Sequence, residues 1–310
     1  MDNITLSLIL KAKLKQKLLK GIPMQQLIFK HISQTFEDYD LFLFDLWGVI
    51  FDGDKVYPGV VESINSILKQ KKVIFLSNAP RPSFAMKNRL ESWGVKNITE
   101  EMIITSGDVA RELMLEEAKK LRQEKLKIYH LGDDRNDEIL DEFDHIITYD
   151  YKEADVVLLS LHRDENENIR EFDDLLKKVA KQDKILKICA NPDISTPQGN
   201  ITKYCAGYFA QIIEKNGGKV IYTGKPQNVI YQNVFKKVGD IPKKRILMIG
   251  DTFETDIIGA QNAGIDSALV LTGNAYKFHS NYKSMEDKLQ SLTKKAKELT
   301  MFPTFVTELV

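Results

Sequence analysis

The 310-residue sequence is poor in sulfur: it holds two cysteines, Cys189 and Cys205. They lie too far apart for a CxxC motif, which excludes a disulfide framework and the common thiolate zinc patterns. The five histidines, His31, His130, His145, His162 and His279, form no HxxH or HExxH pair, so a histidine zinc centre is not expected. Net charge is also missing, since Lys+Arg and Asp+Glu each total 44. Without a basic field, nucleic acid is not an expected partner. No apolar run approaches the ~18 residues of a membrane span, so no membrane association is expected either. These absences leave a cytoplasmic protein in a reducing setting as the expectation.

What is present is ordinary for a globular chain, with 43% hydrophobic and 28% charged residues. The length suits two modest domains, because single cores stop growing near ~250–300 residues. The start is unusual: "LSLILKAKLKQKLLKGIPM" sets Lys11, Lys13, Lys15, Lys17 and Lys20 among leucines. Residues 1–38 are expected to form a peripheral N-terminal helical extension. The other readings are a targeting segment, weakened by the lack of arginine and of a small-residue cleavage site, or a functional start at Met24.

Short β-branched or aromatic runs follow, including "LFLFDL" (41–46), "KVIFLSN" (72–78), "MIIT" (102–105), "KVIYTG" (219–224) and "RILMIGD" (245–251). Helical patterns separate them over 60–71, 82–93, 108–122, 167–181, 227–238 and 255–263. Apolar strands alternating with helices predict an α/β fold with a doubly wound parallel sheet. Ligands in such folds bind beyond the carboxyl ends of the strands. Four strand ends carry polar residues suited to a site: Asp45, then Ser77 with Asn78, then Gly224-Lys225, then Asp251. Runs between Lys127 and Asn191 end less distinctively. An inserted second domain is therefore expected over 123–218, between core segments 39–122 and 219–310. The stretch 281–298 reads as an exposed charged helix before a final edge strand.

A lone aspartate at a strand end also serves as a turn former. "GDTFETD" says more, because Asp251 at a strand end and Asp256 near a helix start would face Asp45 across the crevice. Such an all-oxygen set suits Mg²⁺. Ser77 and Asn78 precede a helix starting beyond "APRPS", whose N-terminal N–H groups suit phosphate. Lys225 is a cation able to offset phosphoryl charge. Arg81 and Asn191 are further candidates for substrate contact. Asp52 and Asp54 around Gly53 read as turn formers, the two cysteines as core, and the unpaired His130 and His162 as structural.

In this order, the set resembles the haloacid dehalogenase superfamily over nearly the whole chain after Tyr39. "ANPD" (190–193) ahead of "TGKP" (223–226) is similar to the NagD or para-nitrophenylphosphatase-like branch, and "DLWGV" with "LSNAPRP" to a bacterial subset of it. The resemblance implies a Rossmann-like core with an inserted α/β C2 cap, and a possible homodimer through the cap. It implies that Asp45 is a nucleophile forming an aspartyl phosphate, with Lys225 catalytic and Ser77 in the second motif. It also implies Mg²⁺ held by Asp45, Asp251, Asp256 and the backbone carbonyl of Trp47. The expected activity is a hydrolase of small phosphorylated metabolites. Trp47 departs from the family, which usually has aspartate there as general acid. An indole can neither give nor take that proton. The alternative is a catalytically silent phosphate-binding protein.

Overall fold

The computed structural model describes residues 26–132, 138–198 and 201–310. The lysine-rich segment and Met24 lie outside the described residues. The chain opens with strands β1 (Leu41–Phe44), β2 (Lys72–Ser77) and β3 (Ile103–Thr105). Four strands of the middle region follow: β4 (Leu126–Leu131), β5 (His145–Ile147), β6 (Val156–Leu159) and β7 (His162–Asp164). Next come β8 (Leu186–Cys189), β9 (Ser195–Gln198), β10 (Ile201–Cys205) and β11 (Ile221–Tyr222). The chain closes with β12 (Ile246–Gly250), β13 (Asp266–Val270) and β14 (Phe305–Thr307).

A six-stranded sheet runs in the order β14-β13-β12-β1-β2-β3, with every pairing parallel. The chain builds outward from β1 in one direction and from β12 in the other, so the strand order switches between these two neighbours. A five-stranded parallel sheet, β11-β8-β6-β4-β5, and an antiparallel trio, β7-β10-β9, come from the middle of the chain. The α/β parallel class expected from the alternating runs is the observed one. Strand β11 differs from expectation. It lies at the start of the segment assigned to the core, yet pairs with β8 at the edge of the five-stranded sheet.

Side-chain alternation explains why the six-stranded sheet is covered on both faces. Phe42 and Phe44 enter one buried cluster with Leu247 and Ile249, whereas Leu41 and Leu43 enter another with Ile246 and Met248. Both faces of each central strand are apolar, which is the pattern of a sheet sandwiched by helices. Neighbouring residues of β6 split in the same way, Val157 and Leu159 to one cluster and Val156 and Leu158 to another.

Three details correct the sequence reading. No α-helix lies in residues 26–38; Phe29 bridges to Val306 and a single 3₁₀ turn spans Ile32–Thr35. The helix near the C-terminus, Met285–Leu299, is not simply exposed, since Leu292 and Ala296, four apart on one face, are buried against Leu269 and Val306. The helix expected from 255 is preceded by a wider π turn, Phe253–Ile257, that buries Asp256 beneath the end of β12. No helix among the described residues is long and apolar enough to cross a membrane.

Candidate active site

The switch between β1 and β12 places two loops side by side at the carboxyl edge. Asp45 continues the ladder beyond β1, its N–H donating to the Ile249 carbonyl at 2.9 Å. Asp251 follows directly on β12. Lys225, just after β11, reaches into the same space, and its Nζ donates to Asp45 Oδ1 at 2.6 Å and to Asp256 Oδ1 at 2.7 Å. Lys225 is 1% exposed and Asp256 fully buried, whereas Asp45 keeps 8% exposure toward the cavity.

Each carboxylate is aimed by its surroundings. Asp256 Oδ2 accepts the backbone N–H groups of Asp251 and Thr252, both at 3.1 Å, so the acid also shapes the turn it faces. Asp251 Oδ1 accepts the Thr252 hydroxyl at 2.8 Å, and its Oδ2 accepts the Asn274 N–H at 2.6 Å. Two glycines make room for Asp251. A Cβ at Gly48 or at Gly273 would stand 2.0 Å from its Oδ2, and Gly48 also has a φ of +83°.

Charge is unbalanced here, with one ammonium against three carboxylates that bring one oxygen each within 4.8 Å of the others. Burial pushes the Asp45 carboxyl well above its ordinary range, despite the opposing pull of Lys225. Burial and then the Asp256 charge push Asp251 up to about 7. Burial works against the Lys225 ammonium, but Asp256 and Asp45 outweigh it and hold its pKa above the ordinary value. The donor set is all oxygen and has excess negative charge, and it fits a small hard divalent cation such as Mg²⁺.

The second strand end has several roles. Ser77 is buried, and its Oγ accepts the Ala79 N–H at 3.1 Å, leaving its own proton to donate. Asn78 acts as a clamp: Oδ1 accepts the Lys225 N–H at 2.7 Å, while Nδ2 donates to Asp193 Oδ1 at 2.8 Å and the Lys225 carbonyl at 3.1 Å. At the next helix start one of the N–H groups, that of Ser83, is taken by Asp108 Oδ1 at 2.9 Å. Arg81 lines the cavity with its guanidinium 3.6 Å from Glu138. Asn191 also lines it, but its side-chain oxygen folds back to accept the Asp193 N–H at 3.1 Å. Asp52 is a turn former as expected, accepting the N–H groups of Asp54 and Lys55 at 2.8 Å each. Burial raises its pKa slightly, but those donors outweigh burial and hold it below the ordinary value.

Asp45, Ser77, Asn78, Arg81, Lys225 and Asp251 border a cavity of about 570 Å³ that is also lined by the segment 191–196 and by His162. The reading of His130 as unpaired is corrected by its Nε2 contact with Ser160 Oγ at 2.7 Å, and His162 faces the cavity. Thr252 and Asn274 could not be picked out in the sequence, where they had no signal beyond adjacency to an acid or a glycine. Nor could a cluster of Trp47, Phe51, Trp93 and Arg89. Trp47 meets Phe51 edge-on at 5.8 Å and Trp93 at 6.0 Å, while Phe51 stacks on Trp93 at 4.7 Å. The chain's two tryptophans, which both belong to this cluster, were its only trace in the sequence.

Two family models match the chain, haloacid dehalogenase-like hydrolase over residues 42–145 and HAD-hydrolase-like over residues 222–292. Sugar-phosphatase AraL of Bacillus subtilis is 28% identical over 264 residues, 83% of this chain and 93% of that protein. A haloacid dehalogenase-like hydrolase from Brucella suis superposes with a TM-score of 0.69 at 28% identity, covering 83% of this chain and 95% of that one. The 4-nitrophenylphosphatase of Thermotoga maritima gives 0.64 at 26% identity, covering 88% and 95%. With the strand order, the acid cluster and these likenesses together, the chain belongs to the haloacid dehalogenase-like hydrolases, in their NagD- and para-nitrophenylphosphatase-like branch, and is an enzyme of the phosphatase type.

Proposed function

We propose that the protein is a Mg²⁺-dependent phosphatase that hydrolyses a small phosphate monoester through a phosphorylated Asp45. One observation carries this reading: the buried Asp45–Lys225–Asp256 chain, with Asp251 beside it, at the base of a cavity of metabolite size. Asp45, Asp251 and Asp256, with the Trp47 backbone carbonyl, would hold the metal. When bound, the ion would supply positive charge against the phosphoryl oxygens.

The chain's own residues do the rest. Lys225 fixes one oxygen of Asp45, leaving the other to attack phosphorus. The ester P–O bond breaks as the Asp45 O–P bond forms, and the alkoxide takes its proton from solvent, since no carboxyl stands at position 47. Ser77 donates to a phosphoryl oxygen and Lys225 offsets its charge. Water then cleaves the acyl phosphate, releasing phosphate and restoring Asp45. AraL, a sugar-phosphatase by name, supports sugar phosphates as the first substrates to try.

The test is to incubate the protein with Mg²⁺ and a radiolabelled ester, quench in acid, and map the label. Label on Asp45, absent from Asp45→Asn, is the expected result. Trp47 is the observation favouring a second reading, a silent phosphate binder. Phosphate binding without label or turnover on any ester would establish that reading and overturn the first.

A further inference from the structure

The mechanism leaves three cavity cations unused, Arg81, Arg89 and Lys277, and Arg89 is the one set among aromatic rings. It lies on the helix Ser83–Ser92, half-buried in the cavity wall. Its guanidinium carbon stands 5.5 Å from the Trp47 ring, 6.0 Å from Phe51 and 5.9 Å from Trp93. Among the described residues no carboxylate lies within salt-bridge reach of it and no hydrogen-bond acceptor is engaged. The acids nearby are already committed. Asp45 is paired with Lys225, Asp193 accepts from Asn78, and Glu138 stands beside Arg81. Burial, and then the neighbouring Arg81 charge, lowers the affinity of Arg89 for its proton, so the pocket gains by receiving an anion.

Aromatic rings satisfy a guanidinium at its faces, whereas its N–H donors point outward in the ring plane. Three rings around one arginine therefore immobilise the planar cation and leave its donor edge for an oxyanion, the geometry for which arginine is suited and lysine is not. The reactive phosphate has its own partners at the other end of the cavity, in Ser77 and Lys225. We propose that Arg89, held by Trp47, Phe51 and Trp93, binds a second oxyanion on the substrate, so that the enzyme selects phosphate esters carrying a carboxylate or a second phosphate. This rests on the phosphatase reading and narrows it. It also accounts for Trp47, whose ring stands where the family places an acid and forms one wall of the arginine's box.

The experiment uses non-hydrolysable probes with Mg²⁺ present: methylphosphonate, ω-phosphonocarboxylates of two to four carbons, and propane-1,3-diphosphonate. Both tryptophans of the chain flank Arg89, so intrinsic fluorescence reports occupancy directly. At least one phosphonocarboxylate or the diphosphonate is expected to bind roughly 10- to 100-fold tighter than methylphosphonate, as a charge-assisted hydrogen bond implies. The arm that wins identifies the anion. In Arg89→Gln that ratio is expected to collapse toward one, and Arg89→Lys, which lacks the planar fork, to recover it only in part. A wild-type ratio near one overturns the proposal even if neither variant folds. A ratio unchanged in folded Arg89→Gln does so too, leaving Arg89 as a structural staple. Turnover of phenyl phosphate by the wild type is measured alongside. Absence of turnover on phenyl phosphate and on every phosphocarboxylate or bisphosphate ester would defeat the phosphatase reading, whereas turnover without anion preference would defeat the subsite alone.

Discussion

Trp47 occupies the position two beyond Asp45, with its ring packed against Phe51, Trp93 and Arg89. On the proposed mechanism Asp52 does not stand in for an acid at position 47, because it is tied into its own turn, whose N–H donors hold its pKa below the ordinary value. General acid-base help is typically worth about 10²–10⁴ in rate. Turnover should therefore depend steeply on the leaving group, favouring aryl phosphates over alkyl phosphates by more than it does in Trp47→Asp. On the proposed mechanism the second half-reaction has no carboxylate base at position 47 either, so a burst of alcohol equal to the enzyme concentration should precede slow steady turnover. Stopped-flow release of nitrophenol from its phosphate ester measures the burst, and phosphate release from a series of alkyl and aryl esters measures the leaving-group dependence. Equal rates on alkyl and aryl esters with no burst would show that another group, with His162 the first to examine, supplies the proton.

At the scale of elements, Asp108 joins two helices, one of which sets Arg89 in the cavity wall. Its Oδ2 accepts the Thr105 N–H at 3.2 Å and its N–H donates to the Thr105 hydroxyl at 2.9 Å, a reciprocal cap on the helix Ser106–Leu121. Its Oδ1 caps the start of Ser83–Ser92, which carries Arg89. Asp108→Ala should cost about 1–3 kcal/mol in urea unfolding and weaken anion discrimination more than it weakens turnover of phenyl phosphate. A loss below about 0.5 kcal/mol, the level of an ordinary surface substitution, would mean the caps are redundant. This element also shows what the sequence could express. The helix 108–122 was legible from its apolar spacing, but the cross-helix cap joins residues 25 apart, a pairing that only the folded chain brings about. The strands ending in Asp45, Ser77 and Asp251 were legible because each is a short apolar run followed by a polar residue. Asn78 looked like a substrate ligand and proved a clamp between Lys225 and Asp193, a role set by two segments distant in sequence. Arg89 gave no sign, because a single arginine in a helix of weak amphipathicity looks like any solvated one.

For the whole molecule, a net charge of zero conceals a local excess of negative charge at the end of the central strands. Asp251 carries a pKa of about 7 in the metal-free fold against an ordinary 3.8. Between those values the folded protein holds a proton that the unfolded chain has released. Metal-free stability should therefore fall as pH rises from about 4 to 7, with the full cost present above 7. Each kcal/mol corresponds to about 2–4 °C in the melting midpoint for chains somewhat smaller than this one. Asp251→Asn removes the group and should flatten this decline, melting higher than wild type at pH 8 in EDTA. Mg²⁺ should reverse the order, because the ion binds the ionised carboxylate and its affinity grows with pH over the same window. Calorimetric scans at pH 5 and pH 8, with EDTA or with Mg²⁺, test all four corners. If Asp251→Asn gains as much from Mg²⁺ as the wild type does, the ion does not sit on Asp251, and the three clustered carboxylates need another neutralising partner.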